Sequence, residues 1–462
     1  MNDAATCAVS IFLKTLAVLD PGALLKQSVS VRGDRLWIGN QELLLGRFDE
    51  ILIIGFGKAA LTMGRGLEEV LEEGLGDHLR WKRDGARKGQ GEASPDREWE
   101  LGIRGLLVVD RGAASGLRCD VIVAGHPVPD GNSLIAGRRI VELVKEAGES
   151  SLIIFLISGG GSSLVEVPIC PEISLDDLRR LNRLLVGCGA TIREINVIRK
   201  HLSCLKGGRL GATAGKATGV AICVSDVNAG DIRSLASNPL LPDDATLAEF
   251  YEIVRRFGLQ KALPDSISAL IESGGVAPLE AGNDRVSMLE LSNNELALRS
   301  AAEVASNMGF LVQVADDLVE GDYKSIAAGM IERFTELVKL NPATPLCLIS
   351  GGEVSCPVHG DGAGGRNQEF VLYSAVKLAE VLPGHPVCIL SSGTDGIDGN
   401  SPAAGAVAPP GLIESAYRLG VDPRVFLDRN DSFSFFRKIG GNIITGSTGN
   451  NVRDIRLLLS IP

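Results

Sequence analysis

Short apolar runs that end in glycine recur along the chain and give the first indication of its fold. The clearest covers residues 152–157 and stops at Ser158–Ser162, where three glycines lie between serines. A similar run at 51–54 leads into a glycine turn at 55–57. Apolar runs of this length, bounded by glycines, are typical of buried parallel strands that helices cover on both faces.

Between these runs, apolar residues recur at helical spacing. Ser174 and Asp177 have the spacing of a capping box, and Leu178, Leu181 and Leu185 then share one helical face. Strands that alternate with helices predict a parallel, doubly wound sheet. The predicted strands are 51–54, 105–109, 121–123, 152–157, 219–224, 310–314, 346–350, 386–390 and 443–445, and the predicted helices include 133–147, 293–308 and 322–339.

The spacing of these elements also predicts the domains, since a chain of 462 residues is too long for one ordinary core. We predict a larger Rossmann-like α/β domain at 1–270, a linker at about 270–286 and a smaller α/β domain at 286–462. Residues 76–101 are polar and glycine-rich and are predicted to be a flexible surface insertion. Ligands bind at the carboxyl ends of strands in such sheets, so the glycine loops predict a cleft between the two domains.

Composition narrows the functional classes. A net charge of −11 and a pI near 5.2 disfavour nonspecific binding to nucleic acid. No apolar run approaches the roughly 20 residues that a membrane span requires. The nine cysteines form no C-x-x-C pair and are interpreted as reduced thiols. We therefore expect a cytoplasmic protein, monomeric or homodimeric, that acts on a small molecule.

Two polar segments predict an anion-binding site. Gly159, Gly160 and Gly161, at the end of strand 152–157, would let backbone N–H groups approach an anion closely. Residues 199–209 then contain five cationic or potentially cationic side chains, too many to bury unpaired, so they should face water or an anionic ligand. A solvated basic surface is the alternative, but the position after a glycine-rich strand end favours the anion site.

The glycine turn at 55–60 has a second possible meaning. It fits the G-x-G-x-x-A pattern of dinucleotide folds, but Asp77, at the spacing of the ribose-binding acid, follows no predicted strand, and the next strand ends only at Asp110. Lys58 adds positive charge beside the positive end of a helix, which is unfavourable unless an anion is bound. A lysine that points into water is the alternative.

Acidic residues on the strand-end loops admit two interpretations. Asp226 with Asp231, and Asp395 with Asp398, could cap turns and helices, as Asp often does. They could instead bind Mg²⁺ or accept a hydroxyl proton near phosphate-binding loops. Arg366, among glycines, is more specific, because a guanidinium group can clamp a carboxylate or phosphate through two hydrogen bonds.

Ordered motifs extend over nearly the whole chain and carry a family resemblance. They lie at 55–60, 126–130, 158–162, 189–203, 206–209, 351–353, 364–369, 393–399 and 430–432. On these residues the chain resembles the MOFRL-type glycerate kinases, a family of glycerate 2-kinases that are sometimes called hydroxypyruvate reductases. The resemblance implies ATP- and Mg²⁺-dependent phosphorylation of D-glycerate, usually at the 2-hydroxyl, in a cleft between two α/β domains.

The resemblance and the residues together predict individual roles. Lys58 and Arg366 match the basic residues that the family is thought to use on the substrate and the transferring phosphate. Ser158 to Ser162 would cradle phosphates or the substrate carboxylate, and Asp226 or Asp231 would bind Mg²⁺ or take the hydroxyl proton. The other predicted site residues are Arg199, Lys206, Glu353 and Asn367 for substrate or phosphate, and Asp395 for the metal.

Loops of this chain depart from the family pattern at four places. Asn238 stands in Ser237-Asn238-Pro239, where the family has S-G-P. The other departures lie at 225–231, 400–402 and 446–451. All of them surround the predicted nucleotide and metal site, so we expect the family fold and leave the exact hydroxy acid open.

Two other functions stay open on the sequence. An NAD(P)H-dependent hydroxypyruvate reductase is favoured by the glycine turn and disfavoured by the missing ribose-binding acid. A non-catalytic protein that binds hydroxy acids on a kinase scaffold is the third reading. Our prediction is an ATP-dependent kinase that converts D-glycerate to 2-phosphoglycerate.

Overall fold

The computed structural model describes residues 3–81, 101–112, 116–228, 230–279, 282–283 and 285–462. The chain divides into two compact units. We call Pro21–Leu291 the parallel-sheet unit, and the chain up to Asp20 together with Ser292–Pro462 the mixed-sheet unit. This division differs from the predicted one at its start, because the first helix belongs with the second half of the chain.

The helices and strands are numbered in chain order. The helices are α1 Ala4–Val18, α2 Pro21–Ser28, α3 Ala60–Leu75, α4 Gly131–Glu146, α5 Gly161–Leu164, α6 Leu175–Gly187, α7 Ile192–His201, α8 Arg209–Thr213, α9 Leu247–Arg256, α10 Asp265–Glu272, α11 Asn294–Asn307, α12 Tyr323–Leu340, α13 Arg366–Val381, α14 Leu412–Arg418, α15 Pro423–Asp428 and α16 Ser432–Ile439. The strands are β1 Val29–Arg32, β2 Arg35–Ile38, β3 Gln41–Leu44, β4 Glu50–Phe56, β5 Leu79–Trp81, β6 Leu101–Val109, β7 Asp120–Val123, β8 Ser151–Ser158, β9 Thr218–Val224, β10 Val286–Ser292, β11 Leu311–Val314, β12 Gly321–Asp322, β13 Leu346–Ser350, β14 Val354–Ser355, β15 Val387–Gly393, β16 Gly405–Ala408, β17 Asn442–Ile443 and β18 Asp454–Ser460. Short 3-10 helices lie at Leu45–Arg47, Gly76–His78, Ile232–Ser237 and Leu259–Lys261.

The parallel-sheet unit is built on a Rossmann-like sheet, which confirms the predicted fold class. Its strand order is β10-β9-β8-β4-β6-β5, and β7 also pairs with β6. Strand β4 is parallel to both of its neighbours, β6 and β8. From β4 the chain continues to β6 and β7 on one side, then crosses to β8 and β9 on the other. The order therefore reverses between β4 and β8, which is where open α/β sheets bind ligands.

Continuous apolar strands explain why helices cover this sheet on both faces. All eight residues of β8 are buried, and in β4 only Glu50 is partly exposed. One face packs against α4 through Ile140 and Val144. On the side of α3, a side chain at Gly64 would come within 2.5 Å of Leu107 in β6, so this helix lies unusually close to the sheet.

Three parts of this unit differ from the sequence-based prediction. Strands β1 to β3 form a small antiparallel sheet that the pattern did not indicate. Strand β10 begins at Val286, where the second domain was predicted to start, but it extends the main sheet, and its residues Val286 and Leu291 are buried. Strand β5 occupies part of the predicted insertion at 76–101, of which residues 82–100 lie outside the described residues.

The mixed-sheet unit contains the second predicted α/β series around a different sheet. Its strand order is β11-β13-β18-β15-β16-β17. Strands β11 and β13 are parallel neighbours in it, whereas β18 lies antiparallel to both β13 and β15. The predicted last strand at 443–445 is the two-residue β17 at the sheet edge. The central strand β18 was missed.

Helix α1 completes the mixed-sheet unit from the other end of the chain. Its buried face, which includes Ile11 and Phe12, packs with α11 and β15. The amphipathic pattern at the N-terminus is therefore that of a core helix. No single helix in the described ranges is long and apolar enough to cross a membrane, and only α1 and α2 taken together meet that length and composition.

Candidate functional site

The turn after β4 is fastened to the end of β8 at the switch point of the parallel sheet. The backbone N–H of Lys58 donates to the carbonyl of Gly159 at 3.0 Å. The hydroxyl of Ser158 accepts the N–H of Ala59 at 2.9 Å. Gly57 has φ of +124°, and a side chain there would come within 2.2 Å of the Ser158 hydroxyl. Both predicted glycine turns thus form one structure, and the buried Ser158 supports it from beneath.

The loop after β8 leaves a row of backbone donors open. Among the described residues, none accepts a hydrogen bond from the backbone N–H of Gly159, Gly160, Gly161 or Ser162. Gly159 and Gly161 are buried, and a buried N–H group without an acceptor is unfavourable. Successive open N–H groups around a left-handed residue, here Gly160 with φ of +84°, form a concave anion site. This agrees with the predicted cradle.

Two basic side chains flank this loop. A side chain at Gly160 would come within 3.0 Å of the His126 ring and 3.5 Å of the Lys58 Cγ atom. Lys58 is half-buried at the start of α3, where the helix dipole adds to its positive charge. The structure therefore places Lys58 beside the open amides, as predicted. His126, the first residue of the motif at 126–130, lies there too.

A cavity of about 230 Å³ opens next to the loop. Gly160, Ser162 and His126 form part of its wall. Arg199 and Lys206 contribute positive charge to it, and Glu166 contributes a carboxylate. Both cations had been predicted as substrate or phosphate ligands, and the structure brings them to one cavity. The lining is His126, Pro127, Pro129, Gly160, Ser162, Ser163, Glu166, Leu178, Leu181, Asn182, Arg199, Leu202 and Lys206.

Lys206 already has a partner inside the protein. Its ammonium group forms an ion pair with Glu166, and both groups are nearly buried. Glu166 also accepts the Ser203 hydroxyl at 2.5 Å and its neighbouring backbone N–H from Val167 at 3.1 Å. Burial lowers the pKa of Lys206, and the Glu166 carboxylate offsets part of that effect. Lys206 is therefore mainly a structural cation at the cavity wall.

The same holds for most of the basic segment 199–209, which corrects the expectation that these side chains face water or a ligand. The Lys200 ammonium lies 2.6 Å from Asp243. Arg209 donates to the carbonyls of Lys200 and Ser203, each at 2.7 Å. His201 is buried and bonds the Val197 carbonyl. Tertiary partners from distant parts of the chain neutralise or satisfy these groups, and a single sequence segment does not reveal such partners.

Arg199 is different from its neighbours. Its Nε donates to Asn182 at 3.0 Å, and within the described ranges no carboxylate lies within 4.0 Å of its guanidinium group. Burial lowers the pKa of Arg199, and the more distant Glu166 carboxylate offsets this in part. A half-buried guanidinium that has no paired anion among the described residues and that lines a cavity is suited to bind an anionic ligand.

A strained loop supports the floor of the site. Ala236, Ser237 and Asn238 all have positive φ, at 49°, 61° and 52°. Such backbone costs roughly 1 kcal/mol or more per residue and persists where the surroundings hold it. Ser237 bonds the Ser162 hydroxyl at 2.7 Å and Asn196 at 3.2 Å, which ties the glycine loop to α7.

The departure at Asn238 has a physical explanation. Asn is the residue other than glycine that best tolerates the left-handed conformation. Its side chain also accepts from Leu241 N–H at 3.1 Å and donates to Asp243 at 2.7 Å. Asn238 therefore replaces the family's glycine without losing the turn, and it holds the acid that pairs with Lys200.

The two acids predicted after β9 have different surroundings. Asp226 follows β9 closely, and since Val224 is in register with Ser158 it lies along the same sheet edge as the glycine loop. Asp231 is exposed and accepts the Ser234 hydroxyl at 2.5 Å, an arrangement that stabilises its own turn. The turn interpretation thus accounts for Asp231, whereas the position of Asp226 is compatible with a role at the glycine loop.

Carboxylates for Mg²⁺ are available but not clustered. Across the described residues, no group of three or more His, Cys, Asp or Glu side chains could hold a metal ion. Mg²⁺ in phosphoryl-transfer sites is commonly bound by one or two carboxylates together with the substrate phosphates. Asp226, at the edge that carries the open amides, fits that limited donor set.

In the mixed-sheet unit, Arg366 begins helix α13 instead of lying in a free loop. Its Nε and Nη2 bind both oxygens of Asp454, at 2.7 Å and 2.9 Å, and Nη2 also lies 3.0 Å from Glu353. Burial opposes the charge, but the carboxylates of Asp454 and Glu353 raise the pKa of Arg366 well above its usual value. The predicted bidentate clamp exists, and its carboxylate comes from the protein itself.

Three polar residues near the start of α13, which are Asp395, Asp398 and Asn367, form hydrogen bonds within the protein. Asp398 is fully buried and accepts the backbone N–H groups of Asn367 at 3.0 Å and Gln368 at 2.9 Å. The Asn367 side chain bonds Ser391 at 2.5 Å and Asp398 at 3.3 Å, so it is not directed to a ligand. Asp395 accepts the N–H of Ile397 at 3.1 Å. Asn367 therefore has a supporting position rather than the ligand-facing one that was predicted.

Three important residues escaped the sequence analysis. Glu166 and Asp454 neutralise Lys206 and Arg366, and Asn182 orients Arg199. The only sequence signal for Asp454 was the apolar run 457–459 just after it, which marks a buried strand. Glu166 and Asn182 carry no local signal, because each acts through a partner distant in sequence.

Taken together, these features define a class: an α/β protein with an anion site at the switch point of a Rossmann-like sheet, beside a small cationic cavity. Comparison with known proteins names the family. Residues 7–272 match a domain of unknown function, DUF4147, and residues 346–454 match the MOFRL family. The chain belongs to the MOFRL-type glycerate kinase family.

Individual relatives agree with this assignment. A D-glycerate 2-kinase of Thermotoga maritima is 32% identical over 412 residues, which cover 88% of this chain and 90% of the relative. A protein of Agrobacterium vitis with the provisional name hydroxypyruvate reductase is 36% identical over 373 residues, 79% of this chain and 84% of the relative. The crystal structure of a Thermotoga maritima glycerate kinase matches with a TM-score of 0.75 and 29% identity, covering 99% of each chain.

Proposed function

We propose that this protein transfers the terminal phosphoryl group of ATP to the 2-hydroxyl of D-glycerate, giving 2-phosphoglycerate and ADP. The observation that carries the proposal is the row of open N–H groups at Gly159, Gly160, Gly161 and Ser162, beside Lys58. Phosphoryl transfer depends mainly on positioning and charge neutralisation, and such a row of donors supplies both. The relatives named glycerate kinases support the choice of acceptor.

The proposed roles follow from charge and position. The open amides would hold phosphate oxygens, and the Lys58 ammonium would neutralise charge on the phosphoryl group as it leaves ADP. The acceptor hydroxyl oxygen would attack phosphorus while the bond to the ADP oxygen breaks. Asp226, on the same sheet edge, would take the hydroxyl proton or orient the hydroxyl.

Mg²⁺ would reduce the negative charge of the transferring phosphates. Asp226 is the carboxylate that we propose for it, because it lies on the sheet edge of the open amides, with Asp231 and Asp395 as further candidates. We propose Arg366 as a further cation near the phosphates, acting through Nη1. Among the described residues, only Nε and Nη2 of this side chain make hydrogen bonds or ion pairs.

One experiment tests the reaction and its regiochemistry together. Purified protein is incubated with ATP, Mg²⁺ and D-glycerate, and the products are followed by phosphorus NMR. We expect ADP and 2-phosphoglycerate to form in equal amounts. A phosphorus signal of 3-phosphoglycerate would correct the position, and no phosphorylated product would remove the kinase proposal.

A second function has one observation in its favour. Asp110 directly follows β6, the strand next to β4 in the sheet. In dinucleotide-binding folds the ribose-binding acid lies at the end of this neighbouring strand, so Asp110 is at that position although its sequence spacing is longer. Its carboxylate, however, lies 2.9 Å from the Nε of Arg111. Reduction of hydroxypyruvate by NADH or NADPH would show as loss of absorbance at the nicotinamide band, and ADP release from ATP would not accompany it.

A further inference from the structure

The cavity beside the glycine loop has a charge composition that selects its ligand. Two of its three charged groups, Lys206 and Glu166, neutralise each other, so the third, Arg199, sets the net charge. An arginine does not lose its proton in a protein. The cavity therefore carries one uncompensated positive charge, and a ligand with one negative charge would balance it.

The geometry of Arg199 favours a carboxylate over a phosphate. Asn182 occupies Nε at 3.0 Å and fixes the plane of the guanidinium group, which leaves the two terminal nitrogens to a ligand. That edge matches the two oxygens of a carboxylate. A phosphate dianion at Arg199 would need a second lysine or arginine in the lining, and the one present there, Lys206, is committed to Glu166.

Size and lining point to a short carbon chain. At about 230 Å³ the cavity lies below the roughly 300–1,000 Å³ of sites for larger organic ligands. Leu178, Leu181 and Leu202 supply apolar wall, so carbon atoms as well as charge are accommodated. Gly160 and Ser162 belong both to this wall and to the row of open amides.

We propose that this cavity is the acceptor subsite, in which Arg199 binds the carboxylate of a small 2-hydroxy acid and Asn182 acts as its positioning residue. The inference rests on the proposed kinase function for its reaction, but it makes a separate statement about binding. A carboxylate held by Arg199 leaves the hydroxyl end of the acid at the wall shared with the open amides, where the phosphoryl group would arrive. Selectivity for acids over neutral alcohols then resides in one side chain.

The test compares two acceptors that differ in the carboxylate. D-Glycerate and glycerol are assayed with the wild type, with Arg199→Gln and with Arg193→Gln. Arg193 is the matched control, because it lies on the same helix with its side chain 76% exposed. We expect Arg199→Gln to reduce kcat/KM for D-glycerate by about 100-fold or more, mainly through KM, and to reduce any activity on glycerol far less. The control should stay within about twofold of the wild type.

Calorimetry separates this inference from the proposed function. Binding of D-glycerate is titrated without nucleotide, and Asn182→Ala, which leaves the charge in place, should weaken it by about 3–10-fold. Glycerate binding that depends on Arg199 in a protein that forms no ADP would uphold the subsite and remove the kinase proposal. Phosphorylation of D-glycerate with unchanged KM and affinity in Arg199→Gln would overturn the subsite. If Arg199→Gln does not fold, the Asn182→Ala titration decides, and unchanged affinity there rejects the positioning role.

Discussion

Both units contain glycine-rich loops that follow apolar strands, but the loops differ in whether a carboxylate of the protein accepts the nearby backbone N–H groups. In the parallel-sheet unit, the loop at 158–162 contains no acid, and its N–H groups stay open. In the mixed-sheet unit, the loop after β15 contains Asp398, which accepts two N–H groups at the start of α13. A glycine loop is thus an anion site only where no internal carboxylate satisfies its donors, and glycine alone does not distinguish the two cases.

The arginines and lysines show the same contrast. Arg366 binds Asp454 through Nε and Nη2, and 0% of the Asp454 side chain is exposed, whereas Arg199 has only the neutral Asn182 as a partner among the described residues. Internal pairing makes a cation part of the fold, and the lack of an internal anion makes it available to a ligand. We therefore expect changes in the first unit's loop to affect activity and changes in the second unit's loop to affect stability.

The largest effect that would test this contrast is expected at Lys58. Lys58→Ala removes the cation beside the open amides, so turnover should fall by about 10³-fold or more with the fold retained. Coupled measurement of ADP release gives the rate, and circular dichroism checks the fold. Lys216→Ala is the control, because that lysine is 74% exposed and pairs with Glu149 at the surface. A near-normal rate in Lys58→Ala would remove this residue from the mechanism.

The next effect concerns stability and the mixed-sheet unit. Asp454→Ala leaves Arg366 and the buried Arg456 without their nearest anion, and should lower the free energy of unfolding by about 3–5 kcal/mol. Urea denaturation measures the change. Asp361→Ala, which breaks an exposed pair with Arg429, should leave the free energy of unfolding almost unchanged. Equal losses in both variants would contradict the assignment of Asp454 as a buried structural acid.

Glu369 is an exception among the buried charged groups of the mixed-sheet unit, because it is not paired with a cation in the part of the chain that the structure describes. It is a buried acid of α13, neither carboxylate oxygen has a hydrogen-bond partner of good geometry among the described residues, and burial raises its pKa to about 7. Ser432 lies close enough to oppose that rise without forming a well-aligned bond.

The pH dependence follows from this raised pKa. Unfolded Glu titrates near pH 4.3, so between about pH 4 and 7 the folded state binds the extra proton. Stability from this group is therefore present at low pH and is lost as the pH rises through 7. Glu369→Gln should gain about 2 kcal/mol on the wild type between pH 5 and pH 8, as measured by urea denaturation. A constant difference across that range would show that the carboxylate is satisfied after all.

The smallest predicted effect lies under the glycine loop at Asn238. Asn238→Gly keeps the left-handed conformation and loses only the side-chain bonds, so the free energy of unfolding should change by about 1 kcal/mol or less. Asn238→Val forces a β-branched residue into the same conformation and should cost about 2–3 kcal/mol. Thermal unfolding of the two variants gives the comparison, and similar melting temperatures would mean that the turn is not strained.

Much of the fold was predictable because it depends on local patterns. Strands β4, β8, β9 and β13 lie where apolar runs end in glycine or serine, and the capping box at Ser174 is present. Strand β18 was missed although its sequence is apolar. It lies near the chain end after a polar loop, and its central place follows from pairing with β13 and β15, which are far away in sequence.

The candidate site was predictable only in part, for a related reason. Lys58 and the amides at 159–161 belong to turns whose geometry glycine sets locally, and the structure brings these two turns together. The roles of Lys206, Asn367 and Arg366 were not predictable, because Glu166, Asp398 and Asp454 reach them from elsewhere in the chain.

The sequence by itself determined where strands end, where backbone N–H groups can be left bare, and to which family the motifs point. Only the tertiary structure decided which charges cancel, since an ion pair depends on distances between side chains that the chain brings together across tens of residues. Burial makes an unpaired charge costly, because a charge that is removed from water needs a partner in the protein or in a ligand. At Arg199 the fold supplies no such anion among the described residues, and the ligand is expected to provide it.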